Sequence, residues 1–216
     1  MIIFRRKGKI VRSKMAFLQS KKLYSDSVKG PASDPFNRMG MGRLLETEEE
    51  HLESVRAKTI RFEETSKYKA FKKESDQQLA MSYFQQRFEI NMYYLFYNPV
   101  RIPYTISSPL EGEPELGENI VGCRVITKNF LDEALDQYNK NYIPSYGDLK
   151  YLLSGTFINN EHTGGWRLEY FVVDQMMACK EGFIDDSPNF RTVHELLNQK
   201  TSPISAALSI TIDLEG

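Results

Sequence analysis

The chain has 216 residues, 41% of them hydrophobic and 26% charged, with two cysteines. This is enough apolar material for a core, but no apolar run approaches the ~18 residues that cross a bilayer. Two cysteines make no disulfide framework in a chain this long, so a reducing compartment is the default. The net charge of −1 conceals a division: residues 1–43 hold eleven Lys/Arg against Asp26 and Asp34, giving +9, and the remainder carries −10.

Residues 1–42 read as an extended basic arm and linker. Eight cations and no acid precede Asp26. Arg5, Arg6 and Lys7 form one tight cluster, followed closely by Ile10, Val11, Met15, Phe17 and Leu18. Three roles suit such an arm: an acid-poor mitochondrial-type targeting peptide, a contact to phosphates, or a strap lying on an acidic neighbouring subunit. Phosphates offer nothing to apolar side chains, so Val11 and Phe17 favour a groove between protein subunits. GPASDPFNRMGMG, from Gly30, reads as a linker of turn-formers.

Residues 43–98 contain no glycine and no proline, and they read as a long helical region, either one bent helix or two. Thr47 and Glu50 form a capping-box pair, with further glutamates loading the first turn. Leu45, Leu52, Val55, Thr59 and Phe62 make one apolar stripe; Met81, Phe84, Phe88, Met92 and Leu95 make a second. The period slips near Ser75–Asp76. Tyr83, Tyr93, Tyr94 and Tyr97 fall largely off the second stripe, so this helix would be buried on both sides or sandwiched between subunits.

Residues 99–216 read as an α+β domain. PVRIPYTISSP alternates as an irregular edge strand, confined there by its prolines. LEGEPELGEN is an acidic, turn-rich loop without the fixed ligand spacing of a cation site. Asn119–Ile126 predicts a buried strand, and Thr127 or Asn129 caps a helix carrying Phe130, Leu131, Ala134, Leu135 and Tyr138. Leu149, Leu152 and Leu153 mark a short helix ended by Gly155. From Trp166 two readings compete, a hairpin strand to Val173 or a helix from about Leu168 to Glu181. Pro188 opens a further helix, and Leu208 to Leu214 alternate as a strand. The expected fold class is therefore α+β: a small mixed or antiparallel sheet with packed helices, preceded by a long helical element and the basic arm.

No motif for chemistry is complete. His51, His162, His194, Cys123 and Cys179 lack zinc spacing. His162-Thr163-Gly164-Gly165 has neither an accompanying nucleophile pattern nor the lysine of a phosphate loop. Asp185-Asp186 before Ser187-Pro188 is ordinary turn and helix-start sequence. An enzyme with a motif-free active site is the least favoured reading, and no catalytic, cofactor-binding or metal residue is assigned.

The sequence points instead to a non-enzymatic structural subunit of a large assembly. By analogy of architecture, this is a viral (phage-type) head–tail connector, neck or tail component forming rings through its arm and helical element. The alternative is an accessory nucleic-acid-binding subunit of a ribonucleoprotein or other nucleic-acid complex. Arg5, Arg6, Lys7, Val11, Phe17, Tyr93, Tyr94 and Tyr97 are the expected interaction residues. The expected partners are copies of the chain and other subunits, with nucleic acid as the arm's alternative ligand, and neither a membrane nor a small-molecule substrate. The location expected is the virion or host cytoplasm, or the mitochondrial matrix if the N-terminus is a targeting peptide.

Overall fold

The computed structural model describes residues 1–25, 60–71, 74–106, 121–154, 164–185 and 209–214. They form an α+β architecture of small mixed and antiparallel sheets with packed helices. The chain divides into two compact units. Unit 1 gathers Met1–Leu18, Glu74–Tyr93 and Glu169–Gly216; unit 2 gathers Gln19–Lys73 and Tyr94–Leu168.

Unit 1 is built on a hairpin. Strands β1 (Ile2–Arg6) and β2 (Lys9–Met15) are antiparallel. The two residues between them, Lys7 and Gly8, have φ of 50° and 75°. Positive φ at both centres gives the turn a twist that matches the flanking strands. The register shifts between Phe4 and Arg5. β9 (Phe183–Asp185) pairs antiparallel with β2, and β10 (Ile210–Leu214) lies parallel to β1, giving the order β10-β1-β2-β9. Because β9 reaches only Ser13, Lys14 and Met15, those three residues are buried while Lys9 to Arg12 are exposed.

Helix α1 (Asp76–Phe88) belongs to the same unit. Ser75 caps it, its side chain accepting from the Gln78 amide, and Asp76 sits in the first turn where the dipole favours an acid. Glu89 ends it in the left-handed conformation, φ 52°. Met81 and Phe84 are the buried side chains, and Phe84 stacks on Phe88 at 5.8 Å between centroids. Helix α4 begins as Leu168–Tyr170 and widens into a π-helical stretch, Phe171–Met177, with Phe171, Gln175 and Met176 buried. The Lys180 and Glu181 amides both return to the Gln175 carbonyl, at 2.8 and 3.0 Å.

Unit 2 holds most of a second sheet of order β3-β5-β7-β8: β3 (Phe17–Lys22), β5 (Met92–Tyr97), β7 (Arg124–Thr127) and β8 (Gly164–Arg167). Its core includes Tyr68, Tyr94, Phe96, Val125, Ile126 and Trp166. Tyr68 meets Phe96 edge-on at 4.8 Å and donates its hydroxyl to Asn98 Oδ1 at 2.5 Å; Asn98 in turn donates to the Gly122 carbonyl. Helix α2 (Lys128–Leu135) buries Leu131 and Leu135, and helix α3 (Tyr146–Leu153) buries Leu149 and Leu153 behind a full Ser145/Asp148 capping box. A separate ladder joins β4 (Ile60–Phe62) to β6 (Tyr104–Ile106).

Three expectations are corrected. Residues 2–22 are three strands and not an extended arm. Ile60–Phe62 is a strand, so the helical region does not run through it. The second helical stripe stops at Phe88, and Met92–Tyr97 is a strand with five of its six residues buried. A short run that is apolar on every side carries no period to tell a buried strand from a buried helix; Met-Tyr-Tyr-Leu-Phe-Tyr settles as a strand because aromatics pack well across a pleated sheet. For the segment after Trp166, the helix reading holds from Leu168, while Gly164–Arg167 forms the strand beside β7. The Thr47/Glu50 capping box, the first apolar stripe up to Thr59, the acidic loop, the helix from Pro188 and all three histidines lie outside the described residues.

Candidate functional site

The hairpin of unit 1 gathers charge and apolar surface in one place. Arg6, Lys7, Lys9 and Arg12 are exposed around its turn, Arg5 is half-buried, and Ile10 and Val11 stand 37% and 47% exposed among them. Exposed isoleucine and valine gain nothing from water, so their place between cations makes this surface amphipathic.

On the same sheet lies an open recess of about 360 Å³. Phe4 and Arg6 of β1, Val11 and Arg12 of β2, and Leu214 of β10 line it, and Met177 at the end of the π-helical stretch and Cys179 just beyond it complete it. The register explains the grouping: Phe4 pairs with Arg12 on one side and Ile212 on the other, and Arg6 with Lys9 and Leu214.

The wall containing Cys179 is held firmly. Cys179 adopts φ 60°, unusual for a side chain with a Cβ. Gly182 has φ 87°, and a Cβ there would come within 2.8 Å of the Met15 carbonyl oxygen, so only glycine fits. Tyr93 locks the segment between them. Its hydroxyl donates to Glu181 Oε2 at 2.6 Å and accepts from the Gly182 amide at 3.1 Å, while its ring meets Phe171 edge-on at 4.9 Å. Burial, reinforced by the Glu181 carboxylate, pushes the Tyr93 phenol well above its ordinary pKa.

The expected interaction residues are thus scattered. Arg5, Arg6, Lys7 and Val11 come together at the hairpin. Phe17 begins β3, half-buried. Tyr93 and Tyr94 are 0% and 1% exposed, Tyr93 in the unit 1 core and Tyr94 in the unit 2 core, and Tyr97 is half-buried. No family model, curated protein or solved structure matches the chain. The assignment of this surface therefore rests on its own chemistry.

Two cations of the basic segment are not at the surface. Lys14 is 1% exposed. Lys21, 3% exposed, donates from Nζ to the Ala70 carbonyl at 3.1 Å and lies over the rings of Phe71 and Tyr94 at 5.5 and 5.9 Å. Burial pushes its amine down to about 8. Sequence reasoning missed both lysines, and also the parts played by Met177, Cys179 and Leu214. A charge run gives no sign of which member turns inward. The turn itself was detectable: Lys-Gly between IIFRR and KIVRS is a two-residue hairpin loop with glycine second.

Among the described residues no group of three or more His, Cys, Asp or Glu is placed to hold a metal ion, and no helix is long and apolar enough to cross a membrane.

Proposed function

We propose that this protein is a non-catalytic structural subunit that works inside a larger assembly, and that unit 1 is its binding part. One observation carries the reading. Among the described residues, every strongly exposed large apolar side chain except Tyr151 belongs to unit 1, as do the exposed hairpin cations around Ile10 and Val11. Among the described residues of unit 2, Tyr151 is the one large apolar side chain left strongly exposed. A unit that leaves Leu79, Tyr83, Val173, Met177, Ile10 and Val11 in water is suited to a protein partner that covers apolar surface. The finer form of the proposal is a connector, neck or tail component of a phage-type virion, acting in the virion or the host cytoplasm. With residues 2–22 in strands, the contact is made by a folded hairpin and not by a strap.

The test is the mass of the full chain in solution at moderate and high salt, beside the Arg6→Glu/Lys7→Glu/Lys9→Glu variant. The expected result is an oligomer that weakens with salt, because exposed charges are screened beyond ~8 Å at physiological ionic strength, and that weakens further in the variant. A protein that stays monomeric alone and with candidate partner subunits overturns the proposal. The second reading, an accessory nucleic-acid-binding subunit, draws on the crowding of Arg6, Lys7 and Lys9 in one turn. It requires affinity for a random oligonucleotide that falls with log salt at a slope of about −0.9 per phosphate neutralised on a duplex.

A further inference from the structure

We infer that the recess of the β10-β1-β2 sheet is the seat for a second copy of this chain, docked head-to-tail through an acidic surface with an apolar projection. The inference rests on the assembly reading above and names the partner for one site within it. Three observations converge. The recess combines Phe4, Val11, Met177 and Leu214 with the cations Arg6 and Arg12, so its complement is apolar at the centre and anionic at the edge. The chain itself carries the charge complement: residues 1–43 sum to +9, and everything after them sums to −10. The recess is also pre-shaped, since Tyr93 fixes Glu181 and Gly182, leaving the wall with Cys179 little to pay on binding.

The charge distribution also decides the symmetry. A two-fold contact centred on the recess would set Arg6 and Arg12 against the same pair of the other copy, and facing like charges are repulsive. A contact between the cationic sheet and a different, acidic face avoids this. Such a contact is heterologous, so it closes into a ring or continues as a filament and does not stop at two subunits.

Sedimentation velocity of the full chain provides the test, with Cys179 as the handle because it is exposed and lines the recess. Coupling a bulky maleimide to Cys179 is expected to abolish assembly, whereas Cys179→Ser treated with the same reagent assembles as the untreated protein does. Val11→Arg, at an exposed position that tolerates a longer side chain, is expected to weaken assembly about tenfold or more, the loss of one well-placed contact. Labelled wild-type protein that assembles as tightly as unlabelled protein overturns the inference. So does loss of assembly in treated Cys179→Ser, which assigns the effect to Cys123. A label that displaces a random oligonucleotide while assembly persists overturns it as well, giving the recess to nucleic acid. A wild-type chain that is monomeric at every concentration defeats the assembly reading itself, which separates that failure from a failure of the recess.

Discussion

Lys21 makes stability depend on pH in a direction opposite to the usual alkaline loss. Its Nζ sits against the Phe71 and Tyr94 rings and donates to the Ala70 carbonyl at 3.1 Å. Burial lowers the folded-state pKa from 10.5 to about 8. Between those values the unfolded chain binds the proton and the folded chain does not, so stability rises with pH through the window. The difference of about 2.5 pH units corresponds to roughly 3 kcal/mol for the whole transition. About 2 kcal/mol of it falls between pH 7.5 and 9.5 by the same linkage. Above pH 10 the buried phenols of Tyr68 and Tyr93 act the other way, because the unfolded chain then releases protons that these raised groups retain. The Met1 amine, also lowered by burial, adds a rise on the acid side of pH 8. Lys21→Met keeps the length and removes the titration. Urea unfolding, followed by the fluorescence of Trp166, which is buried in the same unit, should show wild type gaining about 2 kcal/mol on the variant from pH 7.5 to 9.5. Equal slopes in the two proteins would refute the argument.

Four further perturbations probe other parts of the structure. Phe96→Ala, at 0% exposure, should cost about 3–5 kcal/mol in a urea melt, as large-to-small changes in a packed core do. Ser145→Ala removes the capping-box acceptor of α3 and should cost about 1 kcal/mol by thermal melting; no change would mean that the cap adds nothing. Gly182→Ala places a methyl against the Met15 carbonyl at φ 87° and should destabilise by more than ~1 kcal/mol, with lost protection of the Gly182 amide in hydrogen exchange. Lys7→Asn should do the opposite, since asparagine accepts the left-handed turn more readily than lysine, and a gain of a few tenths of a kcal/mol is expected. A loss of stability in Lys7→Asn would count against the turn geometry.

Where one face of an element meets water, the sequence exposed it. Leu131 and Leu135 share a face of α2, Ile210 to Leu214 alternate, and the prolines of 99–109 mark β6 as an edge. Where both faces are buried, as along Met92–Tyr97, the apolar pattern is saturated and the period vanishes. The hairpin was hidden for another reason. Arg5, Arg6, Lys9, Arg12 and Lys14 interrupt the alternation of β1 and β2, so charge dominated the reading of residues that are in fact paired backbone. The cationic and apolar halves of the surface were legible as composition. Their meeting in one recess was not, because Leu214 and Cys179 come from far along the chain and only the parallel pairing of β1 with β10 and the turn after α4 bring them there.

That parallel pairing also sets an order on synthesis. Ile2 is matched to Ile210 and Arg6 to Leu214, so during synthesis β1 must wait for more than two hundred residues before its outer side is covered. At ~5–20 residues per second this is a delay of at least ten seconds or so. Throughout that interval β1 and β2 can close locally as a hairpin, while the flank of β1 stays open to any nascent strand nearby. On a polysome, where neighbouring chains expose the same flank at the same moment, this invites misassembly before folding is finished. The cations of the hairpin, by repelling their own kind, would keep those chains apart until β10 arrives.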